Sequence, residues 1–399
     1  MTARNGARAP HRLAAIAAVG GLLLAACTSG SPGPSASTGG SPASGSPAGS
    51  AAYVVPDAVK ANVAKYMGLP TFTAPGPSID VSSLRGKSMF LIPLVPNPFN
   101  QSIEDTMQSI AAKVGMTYTK YANEGQASQW VQGMNAAIAA HPDIIVLNTA
   151  PDPRVLQPQL EAAKAAGIPV LVTHFYDDGS PVPPDCDGCA AGVTALVTAP
   201  FNVAGEAAAN WVIQDSNGTA HIVVVGAGDI LPSPATVAKV QETFANNCPA
   251  CVVTVINNPV ADWNNKTQGV VQSALTADPS INYVYPLYDA MVAGAVAAVQ
   301  TIGKADSVKV LSYNGSPYVL QFIQDKNIAA MDVGEDTVGI GYANMDQAFR
   351  ILLGLPTVPE RTPIRIFDST NVNDAGVPPT TGTGYGGALA EGFLALWGL

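Results

Sequence analysis

The sequence predicts an α/β protein whose body has two lobes, each built on a parallel β-sheet. From residue 86 onward, short apolar segments alternate with amphipathic or Ala-rich segments of about 10 to 15 residues, the pattern of βαβ units. The alternation comes in two series of similar spacing, which fits two Rossmann-like lobes better than one large sheet. The chain has 399 residues, which is long enough for two separate cores.

Residues 1–27 are predicted to be a lipoprotein signal peptide and not part of the fold. Three arginines form a basic start, and Leu13 to Ala26 is an apolar run too short to span a bilayer. The run ends in Leu-Ala-Ala-Cys, which resembles a bacterial lipobox, so Cys27 is expected to carry a lipid. The alternative is an ordinary signal peptide with an incidental cysteine.

Residues 28–52 consist almost entirely of Gly, Ser, Pro, Ala and Thr. Such a segment cannot bury a core, so we interpret it as a flexible tether. No segment after residue 52 has the pattern of a transmembrane helix. The sequence therefore predicts a body held at the outer face of the cell membrane by lipid alone.

The composition excludes several partners. Hydrophobic residues make up 47% of the chain and charged residues 12%, which is typical of a globular body. The formal charge is −10, and removing residues 1–26 leaves 16 basic against 29 acidic residues. An acidic surface disfavours nucleic acid and anionic lipid.

The elements of the first series begin with a strand and an amphipathic helix around a proline-flanked loop at residues 95–99. Its predicted strands are Met89–Val95, Thr117–Tyr121, Asp143–Asn148 and Pro169–Thr173, and its helices include Ala127–Ala140 and Pro158–Ala166. The second series has the strands His221–Gly226, Val252–Ile256, Tyr283–Leu287 and Val308–Tyr313, with helices at 203–214, 235–246, 264–277 and 289–302. Residues 53–85 precede the first strand and are interpreted as an N-terminal arm, a helix plus an extended segment.

Four cysteines remain in the body, as the pairs Cys186/Cys189 and Cys248/Cys251. Two CxxC pairs would indicate zinc in a cytosolic chain, whereas disulfides predominate outside the cell. Local disulfides, cross-bridges and metal or redox chemistry all stay open at this point, with local disulfides preferred. Neither pair opens a helix directly after a strand, which argues against thioredoxin-like chemistry.

The order of these segments resembles type I periplasmic binding proteins, the sugar-binding group that includes ribose-binding proteins. NPFNQSIEDTMQSIAAKVG is similar to the family's first strand-loop-helix, HPDIIVLNTAPDP to its third strand and AAGIPVLVTHF to its fourth. FNVAGEAAANWV resembles the crossover into the second lobe, ADWNNKTQGVVQSAL an aromatic loop and helix there, and VYPLYDAMVAGAVAAV the ligand-loop strand. VLSYNGSP and GEDTVGIGYANMDQAF resemble the last binding strand and the return crossing. The resemblance covers roughly residues 86–360.

The resemblance implies that two lobes exchange segments through a three-segment hinge, with crossings near Thr198, Met331 and Pro363. It assigns residues 86–198 plus 332–363 to lobe 1, and residues 199–331 plus 364–399 to lobe 2.

A ligand is then expected between the lobes, gripped by aromatic faces and planar polar groups. Phe99 and Trp263 match the family's stacking positions, and the other ligand-binding candidates are polar or aromatic residues near them. These candidates are Asn97, Asn100, His174, Phe175, Asn202, Tyr288, Asp289, Asn314 and Glu335.

Two departures bear on the ligand. Sugar-binding relatives often carry an Asp-Arg pair where this chain has His174-Phe175, and often a second arginine near Lys239-Val240. The cleft is therefore expected to lack the guanidinium groups that bind hydroxyl pairs bidentately. A ribose-like specificity does not follow from the resemblance.

The functional hypothesis is an extracytoplasmic solute-binding lipoprotein. It would capture a small neutral hydroxylated ligand and deliver it, as a monomer, to an ABC permease and its ATPase. The alternatives are a ligand-presenting accessory of a membrane sensor, or a binder of an aromatic or cationic metabolite. No GxSxG, HExxH or Walker A motif occurs, so we expect no enzyme, catalytic residue, metal or cofactor.

Overall fold

The computed structural model describes residues 53–178, 180 and 191–399. Cys27, Cys186, Cys189, the signal peptide and the tether lie outside the described residues. The strands are β1 (Ser88–Pro93), β2 (Thr117–Lys120), β3 (Ile144–Asn148), β4 (Val170–Asp177), β5 (Ala195–Ala199), β6 (His221–Gly226), β7 (Val252–Asn257), β8 (Tyr283–Pro286), β9 (Lys309–Asn314), β10 (Ala329–Glu335) and β11 (Ile364–Asp368). The helices are α1 (Asp57–Met67), α2 (Pro98–Val114), α3 (Ala127–Ala140), α4 (Gln157–Ala165), α5 (Phe201–Asp215), α6 (Ser233–Asn247), α7 (Trp263–Ala277), α8 (Val292–Thr301), α9 (Pro317–Gln324), α10 (Thr337–Leu352) and α11 (Ala388–Leu396).

The strands form two sheets, one in each lobe. The first has the order β2-β1-β3-β4-β5 and is parallel throughout. The second has the order β11-β10-β9-β8-β6-β7, and only β11 runs antiparallel to its neighbour. Central residues such as Leu91 and Val224 are fully buried, as expected of parallel sheets covered by helices on both faces. The predicted α/β class with two parallel lobes is confirmed.

The crossing expected near Met331 is wrong in position. Strand β10 pairs with β11 up to the Glu335–Ile364 pair, so it stays in the second sheet to its last residue. The chain returns to the first lobe only at α10, which packs against α2. The chain also crosses between β5 and α5, and between α10 and β11, next to the expected positions Thr198 and Pro363.

The two ends of the body cross between the lobes as well. Helix α1 packs against α5 and β11 of the second lobe, whereas Ile79, Val81 and Leu84 lie in the core of the first lobe. The assignment of residues 364–399 to lobe 2 is wrong for α11, because Phe393 and Trp397 belong to the first-lobe core. Five chain segments therefore connect the lobes in the described structure.

Two further findings bear on the expected disulfides and on the expected absence of a membrane-spanning helix. Cys248 and Cys251 form a local disulfide with a Cα–Cα distance of 5.4 Å, which is the preferred alternative for this pair. Among the residues that the structure describes, no helix is both long enough and apolar enough to cross a bilayer.

Candidate functional site

A cavity of about 340 Å³ lies between the lobes, at the carboxyl ends of both sheets. This is where open parallel sheets bind ligands, because the loops that follow the strands converge there. Six of the eleven predicted ligand residues line it. They are Asn97, Phe99, Trp263, Tyr288, Asp289 and Asn314.

The loop between β1 and α2 presents Phe99 to the cavity. Asn97 has an extended backbone and caps α2, because its side-chain oxygen accepts a hydrogen bond from the backbone N–H of Asn100 at 2.8 Å. Pro98 occupies the first turn, where its missing N–H costs nothing. The cap and the proline together fix the start of the helix, and with it the position of the Phe99 ring.

Asn100 is a structural residue of the first lobe and does not line the cavity. It is 2% exposed, its amide donates to the carbonyl of Val95 at 2.7 Å, and its oxygen accepts from the Thr149 hydroxyl at 2.8 Å. These bonds already satisfy the amide, so the predicted ligand role of Asn100 is not proposed further.

The second lobe contributes a pair of stacked rings. The ring centroids of Trp263 and Tyr288 lie 5.4 Å apart at an interplanar angle of 29°. The indole N–H of Trp263 donates to the carbonyl of Asn258 at 2.9 Å, which fixes the ring at the start of α7. The cavity therefore has Phe99 on one lobe and a two-ring surface on the other, the arrangement that C–H-rich ring faces bind well.

A buried ion pair between the lobes lies beside the cavity. Nε2 of His174 and Oε2 of Glu335 are 2.7 Å apart, and the amide of Asn314 donates to the other oxygen of Glu335 at 3.2 Å. The imidazole also packs edge-on against Phe99 at 5.4 Å and Phe201 at 5.3 Å. His174 and Glu335 thus lie behind the lining residues and orient Phe99 and Asn314.

The geometry of this pair determines its charge state. Burial alone would lower the pKa of His174, but the charge and the hydrogen bond of Glu335 outweigh it, so the pKa is raised above its usual value. The backbone is strained at both ends of the network, with φ of 54° at His174 and 136° at Asn314. His174 also lies where the register between β4 and β5 is interrupted. Such features are concentrated at ligand sites.

Two buried carboxyl groups interact on the second-lobe side, Asp289 in the cavity lining and Asp332 beside it. Asp289 accepts a hydrogen bond from the backbone N–H of Ser316 at 2.6 Å, and Asp332 accepts one from Gly315 at 3.1 Å. Burial raises the pKa of Asp289 to about 7. It raises the pKa of Asp332 well above its usual value, and the neighbouring Asp289 charge raises it further. Burial and the repulsion between the two charges thus both favour the protonated form of this pair.

Two further predicted residues lie away from the cavity. Asn202 donates through its side chain and its backbone to the carboxylate of Asp177, at 2.6 and 2.9 Å, and so ties the start of α5 to the end of β4. Phe175 packs edge-on against Tyr176 at 5.0 Å and belongs to the first-lobe core. Neither is proposed as a ligand contact.

Several residues that line the cavity were not predicted from the sequence. Ser316 and Tyr318 follow β9 directly, and the rule that located Phe99 after β1 would have found them. The hydroxyl of Tyr318 donates to the carbonyl of Asp289. Thr337, at the start of α10, and Thr381, between β11 and α11, also line the cavity. No local signal in the sequence points to Thr381.

Among the described residues that line the cavity there is no lysine and no arginine. Two facing α/β lobes with an aromatic and polar cavity at their carboxyl edges define a bilobed ligand-binding protein. The sequence profile of the periplasmic binding protein domain family matches residues 89–356, more than half of the chain. The chain belongs to this family.

Relatives and solved structures agree with this assignment. The ribose import binding protein of Salmonella typhimurium is 22% identical over 296 residues, covering 73% of this chain and 94% of that protein. The fructose import binding protein of Bifidobacterium longum is 28% identical over 222 residues, 54% of this chain and 63% of that protein. A solute-binding protein from Agrobacterium vitis, solved with α-D-tagatopyranose, shares the fold with a TM-score of 0.62 at 20% identity, covering 73% of this chain and 97% of that chain.

Proposed function

We propose that the protein captures a small neutral hydroxylated ligand in the cavity between the lobes and delivers it to an ABC permease. The ligand class is a sugar, a polyol or a glycoside-like compound. One observation carries the proposal: Phe99 of the first lobe and the Trp263–Tyr288 stack of the second lobe line one cavity together with the amides Asn97 and Asn314. Flat rings bind the C–H faces of a sugar, and planar amides pair with its hydroxyl groups.

The charges around the cavity support a neutral ligand. An anion would be buried without a cationic partner, at a cost of several kcal/mol, because no described lining residue is lysine or arginine. A cation finds little uncompensated negative charge either. Glu335 is already paired with His174, and the pKa of Asp289 is raised to about 7 by burial.

The size of the cavity supports a small ligand. Its volume of about 340 Å³ is near the lower end of the roughly 300–1,000 Å³ usual for ligand sites. The names of the relatives agree, since they describe import binding proteins for ribose, apiose and fructose. We therefore propose a ligand of about monosaccharide size, without assigning one of these sugars.

A thermal-shift panel tests the ligand class. The panel contains D-ribose, D-apiose, D-fructose, D-tagatose, allitol, nucleosides, amines and aromatic acids. A ligand that binds only the folded protein raises the melting temperature by mass action, so a sugar or polyol is expected to give the largest shift. Shifts from organic acids alone would refute the proposed ligand class.

Trp263→Ala tests the position of the site. The variant is expected to lose at least tenfold in affinity, because a central stacking ring behaves as a hot spot. Trp130→Ala is a matched control. Trp130 is also half-buried on a helix and also donates its indole N–H to a backbone carbonyl at 2.9 Å, but it lies outside the cavity. Equal losses in both variants would contradict the assignment.

The transport role rests on the family and on the N-terminal sequence. Members of the family act outside the cytoplasm, and the named relatives are import binding proteins. We propose that Cys27 carries a lipid and that residues 28–52 tether the body near the permease. Genes for a permease and an ATPase beside this gene would support import. A neighbouring sensor kinase would favour a signalling role instead.

A further inference from the structure

The segment 377–387, here called the C-terminal strap, lies between β11 and α11 and reaches the ligand cavity. It follows a short 3-10 helix, Val372–Ala375. The family profile ends at residue 356, so the strap lies outside the part of the chain that defines the family. Its contacts connect both lobes at the cavity.

Tyr385 anchors the strap in the second lobe. Its side chain is 2% exposed and packs edge-on against Phe367, with ring centroids 5.4 Å apart. Its hydroxyl lies close to Gly315 and Gly334, where a Cβ atom would clash with it. Arg365 also donates to the carbonyl of Gly384. The end of the strap is therefore fixed beside the loop that carries Asn314.

Gly382 brings the strap against the first lobe. Its φ is +74°, and a Cβ atom there would lie 2.8 Å from Cγ2 of Val338 and 3.1 Å from Oγ1 of Thr337. Thr337 in turn hydrogen-bonds Ser102 at 2.7 Å, which joins α10 and α2 near their N-terminal ends. Only glycine allows this close approach. The strap thus touches the helix starts that flank Phe99.

Thr381 directly precedes Gly382 and lines the cavity. It is half-buried, and its hydroxyl has no hydrogen-bond partner among the described residues, whereas the neighbouring Thr380 and Thr383 bond each other at 2.7 Å. A hydroxyl at the cavity wall can both donate to and accept from a sugar hydroxyl. The strap therefore offers the cavity one polar group that no element of the two sheets provides.

We propose that the C-terminal strap is a wall of the ligand cavity and that Thr381 contacts the bound ligand. This inference rests on the proposed function for the nature of the ligand, a neutral molecule of monosaccharide size. The strap closes the side of the cavity next to Thr337, so a glycoside extended in that direction does not fit. Thr381 is thus a specificity-determining residue outside the residues that the family profile matches.

Thiol labelling tests the position of the strap without any ligand. Thr381→Cys and Thr383→Cys are made in the full chain, and their rates of reaction with a maleimide are corrected for the unsubstituted protein. Because residue 381 is half-buried and residue 383 exposed, the first is expected to react several-fold more slowly. Equal rates would overturn the inference.

A second pair of variants displaces the strap. Adding Gly382→Ala to Thr381→Cys should speed labelling, since the new Cβ collides with Val338. Gly386→Ala is the matched control, because its φ of +78° imposes the same backbone strain while its nearest contact is an ordinary 3.8 Å to Leu69. Equal labelling rates in the two variants would contradict the contact between Gly382 and the first lobe.

Ligand affinity tests the role of Thr381. Thr381→Val keeps the shape and removes the hydroxyl, so affinity for the best sugar of the panel should fall about three- to tenfold, with Thr383→Val unchanged. Unchanged affinity in Thr381→Val would overturn the contact. If no panel sugar shifts the wild-type protein, the proposed ligand class fails, while the labelling rates still decide whether the strap forms the wall.

Discussion

Replacing Glu335 with Gln removes the negative partner of His174 at nearly constant volume. Both side chains are buried, with exposures of 0% for Glu335 and 9% for His174, and their atoms lie 2.7 Å apart. Breaking a buried pair by removing one partner costs about 3–5 kcal/mol, because the remaining charge stays buried without compensation. We expect a loss in free energy of unfolding of this order at pH 6, measured by urea denaturation.

The pH dependence of the loss follows from the pKa of His174. The pKa is higher in the folded protein than the value of about 6.5 in the unfolded chain. A group with a raised folded-state pKa contributes stability that is complete below the unfolded value and is lost as the pH rises through the folded value. The difference between wild type and Glu335→Gln should therefore be largest near pH 6 and narrow at alkaline pH.

Glu242→Gln is the control for this measurement. Glu242 pairs with Lys239 at the same distance of 2.7 Å, but its side chain is 57% exposed. Exposed pairs contribute about 0–1 kcal/mol, so this variant should stay close to wild type at every pH. If Glu335→Gln loses no more stability at pH 6 than Glu242→Gln, the buried ion pair does not form as described.

Three further predictions follow from the site and the chain ends. Asp289→Asn should gain free energy of unfolding relative to wild type as the pH rises from 4 to 8, measured by urea denaturation. The reason is that the wild-type carboxyl has a raised pKa of about 7 in the folded protein, so its ionisation favours the unfolded chain above about pH 4. A constant difference between the two proteins would contradict the raised pKa. Small-angle scattering should give a smaller radius of gyration with saturating ligand than without it, since hinge closure buries the ligand; identical profiles would exclude closure. Cys27→Ala should move the protein out of the membrane fraction, and its retention there would refute the lipid anchor.

The carboxyl-edge rule explains why much of the cavity lining was predictable from the sequence. Phe99, Trp263, Tyr288 and Asn314 all follow or end a strand that the hydrophobic pattern indicates. In a parallel sheet these positions converge at one edge, so the chain order alone brings them together. The same pattern cannot distinguish a residue that lines the cavity from the next residue in the loop, because a shift of one residue changes the direction in which the side chain points. Asn100 is an example, since it directly follows Phe99 but its side-chain amide makes hydrogen bonds within the first lobe.

Strand β10 was not predicted from the sequence, for a different reason. The segment that forms β10, Ala-Ala-Met-Asp-Val-Gly-Glu, carries two acids and a glycine and lacks the apolar run of a buried strand. It is nevertheless buried, because β9 and β11 pair with it on both sides. Its acids are accommodated there by polar contacts, since Asp332 accepts a hydrogen bond from the backbone N–H of Gly315 and Glu335 pairs with His174. The acids near the cavity thus interrupt the apolar pattern by which a buried strand is recognised in a sequence.

The same residues affect the charge of a cavity whose described lining has no guanidinium group. An arginine binds a pair of hydroxyl groups through its rigid, charged guanidinium group. Loss of that charge alone would leave the carboxylates near the cavity without a partner, which favours cations. Here His174 compensates Glu335 inside the protein, and burial raises the pKa of Asp289 to about 7, which favours its neutral form below that pH. The described lining of the cavity therefore consists mainly of amides, hydroxyl groups and rings. Affinity in such a site depends on ring stacking and on satisfied hydrogen bonds, so it should respond weakly to salt and strongly to the removal of Trp263.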